Sequence, residues 1–152
     1  MDETSALEIV RWHYDPPSDI YDLAEDEETL RYVLDSKNRF YVMRDEDDGL
    51  AGYCSFSEDG QVPGGDYTSE ALDIGLGIRP DLTGRGRGAD YVTRVLDFAR
   101  KEFDPACFRV TIAAFNKRAQ KVWEKAGFHP VQRFTNIESG LEFMVLIYNV
   151  RM

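Results

Sequence analysis

The sequence predicts a single mixed α+β domain, and three stretches predict it. Residues 72–79 alternate apolar and polar side chains at strand period, and residues 92–103 then carry one apolar stripe at helical period. Two short apolar runs, 40–44 and 50–56, face each other across an acidic turn containing Asp48-Gly49, as the arms of a β-hairpin do. The run LEFMVLIYNV at 141–150 is apolar on both faces of a strand, which places it inside a sheet. Continued along the chain, such patterns give six to seven strands and about four helices.

Taken in order, Leu7 to Trp12 reads as a first strand, broken by Asp15-Pro16-Pro17-Ser18. Helical pieces follow at roughly 18–24 and 27–35. Asp26 caps the second, Glu27 and Glu28 suit its first turn, and Leu30, Val33 and Leu34 form its apolar stripe. Trp12, Tyr14 and Tyr21 bracket the break, where they either pack or line a cleft. After the hairpin, Glu58 to Ser69 with Gly60, Pro63, Gly64 and Gly65 reads as a loose, mobile loop. The strand at 72–78 stops at Pro80. The helix that follows presents Val92, Val95, Leu96, Ala99 and Phe103, with Asp90/Arg94 and Asp97/Lys101 as i,i+4 pairs outside. Cys107 to Ala114 is another strand. Asn116 caps a second helix with Ala119, Val122, Trp123 and Ala126 inward, and Gly127 ends it. Strands at 128–134 and 141–150 complete the chain.

The length of 152 residues fits one domain, 1–152, with room for a core, and 43% hydrophobic with 30% charged residues is ordinary globular composition. No apolar run reaches the roughly 18 residues of a membrane span, and the acidic start MDETSALEIV has no signal-peptide core. Cys54 and Cys107 lie in strand-like apolar runs and read as buried thiols, which suits a cytoplasmic protein. His13 and His129 have no metal-ligand spacing, so no structural metal is expected. The net charge of −10 is uneven. Residues 1–78 hold 20 Asp/Glu against 5 Lys/Arg, whereas residues 79–125 hold 6 against 11. That pattern argues against a nucleic-acid partner, which needs a broad basic face, and suits a cationic or amine-bearing substrate or simple solvation of the acidic part.

The basic segment opens on Pro80-Asp81-Leu82-Thr83-Gly84-Arg85-Gly86-Arg87-Gly88-Ala89. Three glycines uncover backbone N–H groups at a helix start, and Arg85 and Arg87 add charge suited to phosphate oxygens. A nucleotide P-loop would end in Gly-Lys-Ser/Thr, but Gly88 is followed by Ala89 and Asp90. Gly84, Gly86 and Ala89 also fit a relaxed dinucleotide fingerprint, yet the next strand ends without the acid that fold requires. A pyrophosphate cradle remains the reading of this turn.

The turn resembles the coenzyme A motif of the GCN5-related N-acetyltransferases (GNAT), with Thr83 at the family's Gln/Arg position. A second block, Asn116-Lys117-Arg118-Ala119 leading to Trp123-Glu124-Lys125-Ala126-Gly127-Phe128, is similar to that family's Asn-x-x-Ala and Tyr-Glu-Lys-x-Gly-Phe. The resemblance implies a central, mixed, mostly antiparallel sheet whose middle strands splay. It implies acetyl-CoA as cosubstrate, a primary amine of a small molecule or peptide as acceptor, and a possible homodimer. It assigns the pantetheine arm to the backbone of Leu76, Gly77 and Ile78 and to Asn116. It assigns the pyrophosphate to Thr83, Gly84, Arg85, Gly86, Arg87, Gly88 and Ala89. Trp123 stands beside the cofactor where the family often has a Tyr general acid, and an indole cannot take that role; Tyr53, Tyr67 and Tyr148 are the other phenols. Asp73 stands where many relatives carry a Glu base, with Glu70 as the alternative. A non-catalytic acyl-CoA-binding sensor is the competing reading, and a dinucleotide-binding protein the third.

Overall fold

The computed structural model describes residues 1–45 and 49–150. Its elements in chain order are α1 (Glu3–Ile9), α2 (Glu27–Leu34), β1 (Phe40–Asp45), β2 (Gly49–Ser55), β3 (Leu72–Asp73), β4 (Gly75–Ile78), α3 (Gly88–Phe103), β5 (Cys107–Ala113), α4 (Lys117–Lys125), β6 (His129–Thr135) and β7 (Glu142–Asn149), with single 3-10 turns between. The strands form two sheets, in the orders β1-β2-β4 and β3-β5-β7-β6. The chain divides into two compact units, residues 1–55 with 76–85 and residues 56–75 with 86–152.

In the first unit the expected opening strand is a helix. Asp2 caps α1, its Oδ1 accepting from the Ser5 amide at 2.7 Å. Ser5, Ala6, Ile9 and Val10 are the buried positions, which is helical rather than strand spacing. The apolar run from Leu7 to Trp12 suggests a strand; the joint burial of Ser5, Ala6 and Ile9 on one helical face overrides it, and the Asp2 cap supports the helix. Asp26 caps α2 as expected, accepting from the Thr29 amide at 2.7 Å. Hydrogen bonds to both capping carboxylates hold their pKa below the ordinary value. Their stabilisation is therefore present above pH about 4 and is lost as acid protonates them. β1 and β2 pair antiparallel from Phe40↔Ser55 to Asp45↔Gly49, with a bulge between Met43 and Arg44. The hairpin turn proposed at Asp45–Gly49 lies mostly outside the described residues. Ala6, Ile9, Trp12, Val33, Phe40, Leu50 and Tyr53 form this unit's core.

In the second unit β7 pairs with β5 on one side and β6 on the other, which is why its sequence is apolar on both faces. β3 joins the same sheet parallel to β5, through Leu72↔Phe108 and Asp73↔Arg109. α3 buries Tyr91, Val92, Val95, Leu96 and Ala99. On its outer face Asp97 meets Arg100 at 3.5 Å, an i,i+3 pair in place of the expected partner Lys101. Asn116 caps α4, and Gly127 follows it at φ +113°. Gln120, unremarked in the sequence, is buried and donates to the carbonyls of Ala113 and Ala114, fixing the turn between β5 and α4.

The strand expected over 72–78 is interrupted at Ile74, and its halves pair in different sheets. That interruption divides the single sheet anticipated from the sequence into three- and four-stranded parts. Leu146, fully buried in β7, sets the expected scale of the core. Leu146→Ala is expected to cost about 2–5 kcal/mol, measured by urea unfolding.

Candidate active site

Asp73 ends β3. It is only 6% exposed, and Arg109 opposite it on β5 is buried as well. Arg109 Nε donates to Asp73 Oδ1 at 2.6 Å and Nη2 to Oδ2 at 2.8 Å, a two-point pair. Gln61 Nε2 donates a third bond to Oδ2 at 2.9 Å. Hydrogen bonding to Asp73 is the first cause holding the Arg109 pKa above its ordinary value, against the opposing effect of burial. Both oxygens of this carboxylate are thus committed to hydrogen bonds within the protein. The geometry gives Asp73 a structural task in the buried pair. Glu70, the alternative, is exposed.

The loop at 58–69 is anchored, in contrast to the loose loop expected. Arg109 Nη1 donates to the Ser69 carbonyl at 2.9 Å, and its guanidinium lies 4.9 Å from the centre of the Tyr67 ring. The Tyr67 hydroxyl accepts from the Val62 amide and shares a proton with Thr111 Oγ1 at 2.8 Å. Gln132 on β6 meets the Asp66 backbone twice, through Oε1 to the amide and Nε2 to the carbonyl. Arg109 is the residue that sequence reasoning missed. The available signal was a lone Arg within the apolar run of β5, since a buried charge requires a partner, and Asp73 is the matching acid.

On β4, Gly77 has a packing reason. A Cβ there would lie 2.2 Å from Tyr53 Cε1, so the ring occupies the space that a side chain would need. The Ile78 carbonyl accepts from the Tyr14 hydroxyl at 2.6 Å. Beyond β4, Arg79 donates to Asp81 and to the Leu50 carbonyl, and the Thr83 hydroxyl closes onto the Pro80 carbonyl at 2.7 Å. Thr83, Gly84, Arg85 and Gly86 are exposed, and Gly84 and Gly86 have φ of +73° and +76°.

α3 begins immediately after these glycines. Its N-cap, Arg87, makes no side-chain capping bond, and Arg87 Cζ stands 5.2 Å from the Tyr91 ring centre. Gly88 lies against Val122, where a Cβ would stand 3.2 Å from Cγ2, so the helix start sits tight on α4, while Ala89 is exposed. Asn116 Oδ1 accepts from the Ala119 amide at 3.2 Å, which leaves its amide group as the donor available to a ligand. Trp123 is 6% exposed and meets Phe128 edge-on at 5.0 Å, so its indole serves the core of the second unit. Among the other phenols, Tyr148 lies in the cluster with Phe108 and Phe128.

Residues 6–128 match the model of the acetyltransferase (GNAT) family. A variant of spermidine N-acetyltransferase SpeG from Vibrio cholerae has a similar structure, with 15% identity over 98% of this chain and 92% of that one and a TM-score of 0.72. A protein provisionally named a phosphinothricin N-acetyltransferase shares 18% identity over 100% of this chain and 96% of that one, with a TM-score of 0.74. A GNAT-family acetyltransferase assignment from Bordetella pertussis shares 20% over 97% and 88%, with a TM-score of 0.66. At these identities the likeness is one of fold. No curated protein matches.

The buried pair makes a clear prediction. Asp73→Asn leaves Arg109 without its counter-charge and is expected to destabilise the protein by about 3–5 kcal/mol in chemical unfolding. In the fraction that stays folded, turnover should remain within about tenfold of wild type, short of the 10²–10⁴ loss of a missing base.

Proposed function

The chain belongs to the GNAT family of acetyltransferases, and from that membership we propose that it moves an acetyl group from acetyl-CoA to a primary amine of a cationic acceptor. The amine attacks directly while both substrates are bound, with the whole chain acting as one N-acetyltransferase domain. The observation that carries the donor assignment is the turn from Thr83 to Ala89. Among the described residues nothing lies within 4 Å of where a Gly86 Cβ would sit, so packing does not explain that glycine. Its positive φ does, because it turns the backbone as an L side chain would resist. The turn enters a 16-residue helix whose N-cap supplies no side-chain bond, leaving N–H groups suited to an anion. These features fit a pyrophosphate, with Arg85 and Arg87 adding charge.

The backbone of Leu76, Gly77 and Ile78 would run along the pantetheine arm, and the Asn116 amide would donate to it. In the reaction the amine lone pair forms a C–N bond at the thioester carbonyl, the C–S bond breaks, and the ammonium proton passes to a base. Glu70, the exposed member of the acid pair, takes that proton in this reading. Tyr67 already spends its hydroxyl on Val62 and Thr111, and Trp123 has no acidic proton to give. The thiolate therefore leaves as such and is protonated by water.

The acceptor's class draws on two kinds of support. The acidic excess over residues 1–78 favours a cation. A fold relative is named for spermidine, a polyamine. The buried Trp123 keeps one rival reading in view, a protein that binds acyl-CoA without turning it over.

The deciding measurement is acetyl transfer from acetyl-CoA to a panel of primary amines, with CoA binding by calorimetry beside it. Acetylation that favours polycationic amines and weakens with salt is the expected result. Tight CoA binding with no amine acetylated would select the sensor. Gly86→Val should fold yet bind CoA at least tenfold more weakly, since Val resists positive φ by about 1–2 kcal/mol. Glu70→Gln should lower kcat by about 10²–10⁴ with CoA affinity unchanged.

A further inference from the structure

The peptide that joins Ile78 to Arg79 is held from both ends. Its carbonyl accepts from the Tyr14 hydroxyl at 2.6 Å, and its amide donates to the Ala51 carbonyl on β2 at 2.8 Å. Arg79 Nη1 adds a bond to the neighbouring Leu50 carbonyl at 3.2 Å, and the Arg79 carbonyl accepts from the Leu82 amide at 2.8 Å. Tyr14 reaches this peptide from 64 residues away in sequence, out of an irregular segment. That segment is itself pinned: the Tyr14 amide donates to Asp22 Oδ1 at 2.9 Å, and the other oxygen of Asp22 meets His13 Nδ1 at 3.1 Å.

We propose that Tyr14 is a positioning residue for acetyl transfer, fixing through its hydroxyl the peptide at which β4 ends. The inference rests on reading β4 as the strand along the pantetheine arm. A strand that presents its backbone to a ligand must hold its peptide planes without the ligand's help, and here a side chain does what another strand would otherwise do. Burial, and then the charge of Asp22, push the Tyr14 phenol above its ordinary pKa, so it stays a hydrogen-bond donor throughout the working range. Phenylalanine would fill the same space, which makes the hydroxyl the part specific to positioning.

Tyr14→Phe is the test, run at a temperature where circular dichroism shows wild type and variant equally folded. Protection of the Arg79 amide against hydrogen exchange should fall about three- to tenfold, and the Kd for CoA should rise by a similar factor, the worth of one neutral hydrogen bond. Under saturating donor, kcat should fall while the acceptor KM holds. A lowered Tm with wild-type Arg79 protection, CoA affinity and kcat would overturn the proposal, leaving Tyr14 only a structural role. Should wild type bind no CoA at all, the functional reading fails, and unchanged exchange at Arg79 would still refute the positioning of the peptide. If Tyr14→Phe does not fold, Asp22→Asn, which loosens the Tyr14 anchor, should shift both exchange and CoA affinity in the same direction; neither moving would overturn the idea.

Discussion

The ion pair between Asp73 and Arg109 is the constraint on which the second unit depends. β3 is two residues long, too short to specify its own register through side-chain alternation. The pair supplies that register, because only Asp73 opposite Arg109 gives both buried charges a partner. A buried pair of this kind adds little net stability over an apolar one, since desolvation offsets the Coulombic gain. Its value lies in uniqueness: any other register strands a charge in the core. Arg109 then extends the same logic outward, binding the Ser69 carbonyl and lying against Tyr67, so the loop before β3 is ordered by the group that sets the strand.

The interruption at Ile74 follows directly after that pair. The Ile74 amide still donates to the Arg109 carbonyl at 3.0 Å, and the chain then passes to β4, whose neighbour is β2. β4 accordingly takes its order from other sources: Tyr53 seated against Gly77 and Tyr14 on the Ile78 carbonyl. Glycines thus serve two different ends within ten residues. Gly77 makes room for the protein's own aromatic ring, whereas Gly84 and Gly86 supply positive φ in an exposed turn.

The acidic excess also divides by task. Asp2, Asp26 and Asp35 cap helical turns, Asp66 closes a turn on Thr68, Asp22 receives Tyr14 and His13, and Asp73 is buried. These carboxylates already spend their oxygens on the protein. The field that a cationic acceptor would meet comes from the remaining acids, and the charge count alone overstates it.

The sequence by itself determined most of the fold's parts. Period-2 and period-3.6 patterns located six strands and three of the α-helices, the Asp26 and Asn116 caps were legible from residue type, and the glycine turn and the Asn116–Phe128 block pointed to the family that the comparison of residues 6–128 bears out. These features are local: a cap, a stripe or a turn is complete within a few residues. Only the tertiary structure decided what depends on partners far along the chain. It made residues 3–9 a helix by burying Ser5, Ala6 and Ile9 together, and it interrupted the central strand at Ile74. It also made Asp73 half of an ion pair that spans 36 residues of sequence, and brought Tyr14 to Ile78 across 64. A carboxylate or a phenol has the same formula in either role, and its chemistry is set by which donor or acceptor the fold places beside it.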